Sequence, residues 1–533
     1  MSKKTFLRGA AILGIAGLLV QVMGAFFRIP LGNIIGDEGM GYYQTAYPIY
    51  VFLLVFSTNG APAAISKMTS ERIAQGKHSE AHRVFKLSFI LMFIIGIIAF
   101  AIFFFGAEII VNLLKNPGAY YAMIAIAPAL LFVPIMAVYR GYFQGMQEME
   151  PTAISQLVEQ AIRVIVGLGL AIFLLPRGLE LAASGATFGT SIGPIAGVIM
   201  LIILYYRKRT KLIKEIEEDP HQEKEKAGKI LGTLAAIAIP ITIGVSILPI
   251  MNIVDVIIVM RRLQDVGFSL QSANALYGQL TGMAGPVINI PMALALSIAL
   301  SMVPAIAAAN SVKDTEFLNM NIKLGLRTAM MIGVPCAFGL MTLAEPIMLL
   351  LYPLQAESAS SAASSLFILS IGILFLTVGQ TMAGILQGLG KPYTAVIALA
   401  VGVVVKAIAT YILAGIPSLN IQGAAWGSTL GYLVIGLVNF IAVKNLTGIK
   451  FDYRLAVVKP LISGITMSIF VVAAFYIVRP AVGGSLATII AIAIGAAAYG
   501  ITLLKTKAIT AGEIRLLPKG EKLERLLNKL RLI

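Results

Sequence analysis

The sequence predicts an all-α polytopic membrane protein of about fourteen transmembrane helices. Three observations carry that prediction. Hydrophobic residues make up 58% of the 533 and charged residues 12%, against roughly 25% charged in soluble domains. Apolar runs longer than about eighteen residues recur along the whole chain, each enough to cross roughly 30 Å of hydrocarbon as a helix. The runs are continuous rather than alternating. Lipid requires the backbone to satisfy its own hydrogen bonds, so such runs select helices and exclude a β-barrel.

Taken in order, spans are expected at about 6–31, 42–66, 87–112, 122–146, 152–176, 182–206 and 230–260, then at 272–307, 321–343, 361–388, 394–416, 421–443, 456–478 and 483–504. The first run is too long for a signal-peptide core and no small-residue cleavage site follows it, so it reads as a retained helix. The longest connection is 207–229, which leaves no room for an inserted soluble domain. The net charge of +16 is not a nucleic-acid signal, because the basic residues sit in short loops, as topology signals do. Lys3, Lys4, Arg8, Lys67, Arg72, Lys77, Arg83 and Lys86 flank the first three spans, and Arg207, Lys208, Arg209, Lys211 and Lys214 open the 207–229 segment. Only Lys115, Arg177, Arg261, Arg262 and Arg479 fall in the opposite loops. That imbalance places both termini in the cytoplasm and requires an even number of spans.

The chain repeats itself. Arg140-Gly141-Tyr142-Phe143-Gln144-Gly145 ends span 4, and Ala383-Gly384-Ile385-Leu386-Gln387-Gly388 ends span 10. Gly185-Ala186-Thr187-Phe188-Gly189-Thr190 in span 6 matches Gly423-Ala424-Ala425-Trp426-Gly427-Ser428 in span 12. Six helices therefore repeat as six of the same orientation, the pattern of two lobes related by an axis along the membrane normal. The expected organisation is an N-lobe at 1–206, a basic cytoplasmic linker at 207–229, a C-lobe at 230–444, two further helices at 445–509 and a tail at 510–533. In the tail, Leu523, Leu526, Leu527, Leu530 and Ile533 share one helical face, with Lys522, Arg525, Lys529 and Arg531 mostly away from it. This reads as an amphipathic helix on an anionic leaflet, with packing on the protein's own loops as the alternative.

Charges within hydrocarbon are costly, so each one is a candidate functional group. Arg28 lies near the outer end of span 1, Glu159 and Arg163 in span 5, Asp255 in the outer half of span 7 and Lys406 mid-span in span 11. Arg163 and Lys406 are separated by the same interval as Gln144 and Gln387. Two cations at like depth suit a polyanionic headgroup such as a pyrophosphate. Against this, Glu159 and Arg163 have the i, i+4 spacing of an intrahelical ion pair. Arg28 and Asp255 could gate the outer mouth as a pair, or Arg28 could bind anion or snorkel to the interface. Spans 2 and 8 are both interrupted, by Pro48, Gly60 and Pro62 and by Gly282, Gly285, Pro286 and Pro291. Interrupted helices at corresponding positions point to a transport site, with Asn59, Gln279 and Asn289 as polar lining; the competing reading of each glycine is close helix packing.

Other chemistry is not indicated. There is no acidic cluster for metal–nucleotide sugars and no Gly-rich nucleotide loop, so direct ATP use and a cofactor are not expected. His78 and His82 lack an acidic third ligand, and the lone Cys336 lies in an apolar run, so no metal site is expected.

Several segments carry a resemblance: Phe26-Phe27-Arg28-Ile29-Pro30-Leu31-Gly32, Asn59-Gly60-Ala61-Pro62, Arg140 to Gly145 with Pro151-Thr152-Ala153, Met251-Asn252-Ile253-Val254-Asp255, and Gln387-Gly388-Leu389-Gly390-Lys391-Pro392. Across essentially the whole chain the sequence resembles the multidrug/oligosaccharidyl-lipid/polysaccharide exporter superfamily, and within it the lipid II flippase and stage V sporulation protein B branch. The resemblance implies a MATE-like fold of two six-helix lobes plus two helices. It implies a non-enzymatic, alternating-access exporter of undecaprenyl-pyrophosphate-linked saccharide in a bacterial cell membrane, serving peptidoglycan or polysaccharide synthesis. With no nucleotide site in the sequence, the expected driving force is the membrane potential or a Na+ or H+ gradient, and cell-wall synthases are candidate partners. Arg28 matches an arginine of the flippase cavity, whereas further arginines of better-studied flippases in helices 2 and 8 have no counterpart here. The last two helices would form a groove for the lipid tail. Alternatives are a cation-coupled multidrug antiporter, which usually stops at twelve helices, and a membrane polymerase or ligase, which tends to need a large outer loop.

Overall fold

The computed structural model describes residues 3–217 and 225–508. Those residues form α-helices, with short 3-10 and π-helical turns and no strand among them. The helices of the first half are α1 (Lys3–Val55), α2 (Ala61–Ala74), α3 (His78–Phe105), α4 (Ala107–Leu113), α5 (Tyr120–Ile126), α6 (Ala129–Gly145), α7 (Glu150–Leu174), α8 (Leu179–Glu217) and α9 (Ala227–Asp265). The second half holds α10 (Leu270–Gly278), α11 (Gly285–Ser311), α12 (Thr315–Thr342), α13 (Ala344–Leu351), α14 (Ala356–Gly388), α15 (Pro392–Leu413), α16 (Asn420–Thr447), α17 (Lys459–Val482) and α18 (Gly484–Lys505). The amphipathic tail expected at 510–533 and part of the expected linker lie outside the described residues.

Among the described residues, twelve helices are long and apolar enough to cross a membrane. One of them, Ile12–Ala74, runs for 63 residues and contains the first two expected spans. The turn between them is a single residue, Gly36, at φ 67° and ψ −171°. A side chain is strained there, so glycine makes the corner and helix continues on both sides. Residues 207–217, the first part of the expected linker, are helical and continue α8. That run is rich in Lys, Arg and Glu, which favour helix, and holds no glycine or proline.

The chain packs as two compact units. The first comprises residues 1–264 and 268–278, the second 265–267 and 279–533. In the first unit, α10 docks on α1, where a Cβ at Gly41 would collide with the Asn274 carbonyl and one at Gly278 with that of Asp37. Buried Asn116 donates to Thr45 Oγ1 and to Asn274 Oδ1, both at 2.8 Å, and Asn274 donates to the Glu38 carbonyl at 2.6 Å. At the other end of this unit, His82 lies in an aromatic cluster with Phe85, Tyr142 and Tyr205. The Glu225 carboxylate pairs with Arg72, and with Lys229 at 3.1 Å.

The repeated motifs are packing motifs. Gly141 and Gly145 admit the backbone of α2: a Cβ would stand 2.9 Å from the Pro62 carbonyl oxygen and 2.8 Å from that of Ser66. Gly384 and Gly388 do the same for α11, against the carbonyls of Ala299 and Val303. Gly185 and Gly189 seat α8 on α7, and Gly423 and Gly427 seat α16 on α15. Helices in lipid associate by close backbone approach rather than by a hydrophobic drive, so small residues at i, i+4 recur at these contacts.

In the second unit, Arg327 of α12 is 8% exposed and donates to the Ala508 carbonyl just past α18. Lys459 donates to the neighbouring Lys507 carbonyl at 3.0 Å. Cations here meet carbonyls at a helix C-terminus, where the dipole favours them. Outward faces are apolar, with Phe105, Ile477 and Ile109 each more than 70% exposed. In water that surface would aggregate; in a bilayer it faces acyl chains.

Candidate functional site

The first unit holds a caged cation. Pro151 in the first turn of α7 starts the helix without losing a hydrogen bond, and Arg163 follows three turns later on the face turned toward α1. Its Nη2 donates to Tyr43 Oη at 2.8 Å. The guanidinium lies 5.5 Å from the Phe27 ring centroid and 5.3 Å from that of Tyr47. Arg28 stands over the same Tyr47 ring at 5.6 Å. Tyr43 and Tyr47 stack at 5.7 Å and 16°, and Tyr50 continues the row 5.9 Å from Tyr47. The turn at Gly36 separates Phe27 and Arg28 from the tyrosines in the chain and allows both groups to reach Arg163.

An aromatic cage stabilises a guanidinium by roughly 2 kcal/mol once desolvated, but supplies no counter-anion. The Arg163 Nε is buried and has no hydrogen-bond acceptor among the described residues. Two cations and an unused N–H donor, held by phenol rings, make a site complementary to an anion.

Glu159 does not neutralise Arg163. Its Oε2 accepts from Arg140 Nη2 at 2.8 Å, and Arg140 Nε donates to Ser155 Oγ at 3.0 Å. The intrahelical alternative is thus replaced by a pair between α6 and α7. Arg28 lies over the Tyr47 ring, and Asp255 is half-buried in α9.

Lys406 on α15 is 5% exposed. Its stem lies against Gly431 of α16, where a Cβ would come 2.9 Å from the Lys406 Cβ. Arg163 has the same seat in the first unit, against Gly193 of α8 at 3.2 Å. Each unit thus keeps a cation's stem over a glycine on the following helix.

Both interrupted spans contain a π-helical turn, Phe56–Gly60 and Gln279–Ala284. Pro62 and Pro286 explain them. Each lacks the N–H that the carbonyl four residues earlier requires, at Thr58 and Gly282, and the ladder widens there. Asn59 is exposed and donates to Thr58 Oγ1 at 2.9 Å. Gln279 is buried and accepts from Ser361 Oγ at 2.8 Å. Asn289 is exposed on α11, clear of the π turn.

Sequence reasoning missed the tyrosines and Arg327. The i, i+4, i+7 spacing of Tyr43, Tyr47 and Tyr50 was the available signal for the first. Arg327 carried the same intramembrane-charge signal as Lys406.

The profile of the family described as polysaccharide biosynthesis protein matches residues 6–310. Stage V sporulation protein B of Bacillus subtilis (strain 168) is 28% identical over 525 residues, which cover 97% of this chain and 98% of that protein. The lipid II flippase MurJ of the same organism is 29% identical over 470 residues, covering 86% and 85%. Among solved structures, an inward-facing multidrug resistance MATE family transporter of the MOP superfamily superposes with a TM-score of 0.70 at 15% identity, over 83% of this chain and 98% of that one. A lipid II flippase MurJ in an inward closed conformation gives 0.66 at 17% identity, over 92% and 97%.

Proposed function

Because the chain belongs to the polysaccharide biosynthesis protein family, in the MurJ- and sporulation protein B-like branch of the MOP superfamily, we propose that it is a flippase for polyprenyl-pyrophosphate-linked saccharide. The substrate is lipid II or a close relative, moved from the cytoplasmic to the outer leaflet of a bacterial cell membrane by alternating access, for peptidoglycan or polysaccharide synthesis. The observation that carries this reading is Arg163. It is an intramembrane guanidinium caged by aromatic rings, with a second cation, Arg28, on the same ring and a donor left unused. A pyrophosphate entering the site would accept that donor and replace hydration with fixed charge.

In this reading Arg28 and Arg163 hold the headgroup, and Lys406, the repeat-equivalent of Arg163, serves the same class of anion. Asn59, Gln279 and Asn289 line the polar path, and Glu159 and Asp255 respond to coupling or gating. The membrane potential or a Na+ or H+ gradient drives transport, since the chain carries no nucleotide motif. The proposed topology is fourteen spans, as six, six and two, with both termini cytoplasmic and the last two spans receiving the lipid tail. Cell-wall synthases would take the product.

The test is depletion in a strain without a redundant flippase, followed by measurement of lipid II accessible at the outer face. Accessibility should fall, and Arg163→Ala at normal membrane abundance should fail to restore it. Unchanged accessibility on depletion overturns the reading.

A further inference from the structure

A cavity of the second unit is lined by none of the candidate site residues above. It measures about 590 Å³ and forms where the C-terminal ends of α12 and α17 meet α13 and the first turns of α14 and α18. Two charges line it. Arg479 stacks on Phe475, 5.7 Å from the ring centroid. Glu345 accepts from Ser360 Oγ at 2.7 Å. Each charge is held by a neighbour of its own rather than by the other. Ser485 supplies a further hydroxyl from the start of α18, a helix whose N-cap is Gly483 and has no side-chain cap. The first-turn amides there add partial positive charge on the Arg479 side. Val472 and Tyr476 complete the wall and continue onto an outward face where Tyr476 is 66% and Ile477 75% exposed.

We infer that this cleft seats the headgroup of a zwitterionic phospholipid, one that carries a phosphate and a primary ammonium. The phosphate is bound by Arg479 and Ser485, and the ammonium by Glu345. A headgroup with phosphate alone leaves Glu345 beside a second anion. A soluble zwitterion matches both charges but leaves the Val472 and Tyr476 wall uncovered, so the acyl chains select the lipid. The inference is independent of what the protein transports; with the proposed topology, the lipid comes from the outer leaflet.

The experiment is native mass spectrometry of the full chain, delipidated in detergent and titrated with phosphatidylethanolamine, phosphatidylglycerol and soluble phosphorylethanolamine. Phosphatidylethanolamine should bind, and Arg479→Gln and Glu345→Gln should each weaken it roughly tenfold, the worth of one charge-assisted hydrogen bond. Phosphatidylglycerol should bind less well and be weakened only by Arg479→Gln. Ser485→Asp, which sets an anion beside the phosphate, gives the same test if a charge variant misfolds. Equal phosphatidylethanolamine binding by the wild type and the variants overturns the inference. So does competition by phosphorylethanolamine at the lipid's own concentration.

Discussion

Arg163 is held by geometry as well as by charge, and lysine will not replace it. A lysine keeps the cation but loses the planar donor to Tyr43 and the stacking on Phe27 and Tyr47. Arg163→Lys is therefore expected to reach the membrane at normal levels and to restore transport by no more than roughly a tenth, the loss of about 1.4 kcal/mol. Complementation of a depleted strain checks it. Glu159 has a structural duty that the spacing to Arg163 concealed. Its partner, Arg140, is nineteen positions away on another helix, and an i, i+4 rule cannot find it. Glu159→Gln strands Arg140 half-buried and should cost about 1–3 kcal/mol after allowance for its partial exposure. In a double-mutant cycle read by thermal stability in detergent, Arg140→Gln should recover much of that loss.

The helices carry two kinds of glycine, and substitutions should separate them. Gly141 has the Pro62 carbonyl 2.9 Å from where a Cβ would stand, whereas Gly500 has nothing within 4 Å. Gly141→Val is expected to destabilise by about 1–3 kcal/mol through overpacking, and Gly500→Ala to be neutral or slightly stabilising; melting of the purified proteins decides. The repeat was visible in the sequence, but its meaning was not. The same glycines could have lined a cavity, and their closeness to carbonyls on α2, α7, α11 and α15 shows them to be contacts. The linker offers a pH test. The Arg72 hydrogen bond holds the Glu225 carboxyl below the ordinary carboxylate range, with Lys229 adding to it. A folded pKa below the unfolded one stabilises at pH above the unfolded value, about 4.3, and is lost as pH falls through the folded value. The melting difference between the wild type and Glu225→Gln should be present at neutral pH and vanish in acid.

At the scale of the whole molecule, the positive-inside pattern predicts which loops face the cytoplasm. In a Cys336→Ser background, a cysteine at Lys77 should react with an impermeant thiol reagent only after cells are opened, and one at Arg177 in intact cells. The reverse pattern would invert the proposed topology. The two compact units divide the chain at 264–279, so α10 and α11, read as one span in the sequence, fall in different units with the π turn after Gly278 between them. Hydropathy averages over such a turn, because one extra residue in the ladder leaves composition unchanged.

Composition, run length and the repeat by themselves determined an all-helical membrane protein with its cations at like positions in two halves. Those properties follow from the cost of charge and of unpaired backbone in lipid, which acts on each segment separately. Which groups face each cation was decided only by the tertiary structure. Arg163 meets Tyr43 across 120 residues, Glu159 meets Arg140, and Arg327 meets the end of α18. Such pairings depend on how helices rotate about their axes when they pack, and the apolar faces that fix this rotation are too uniform in a lipid-facing sequence to reveal it.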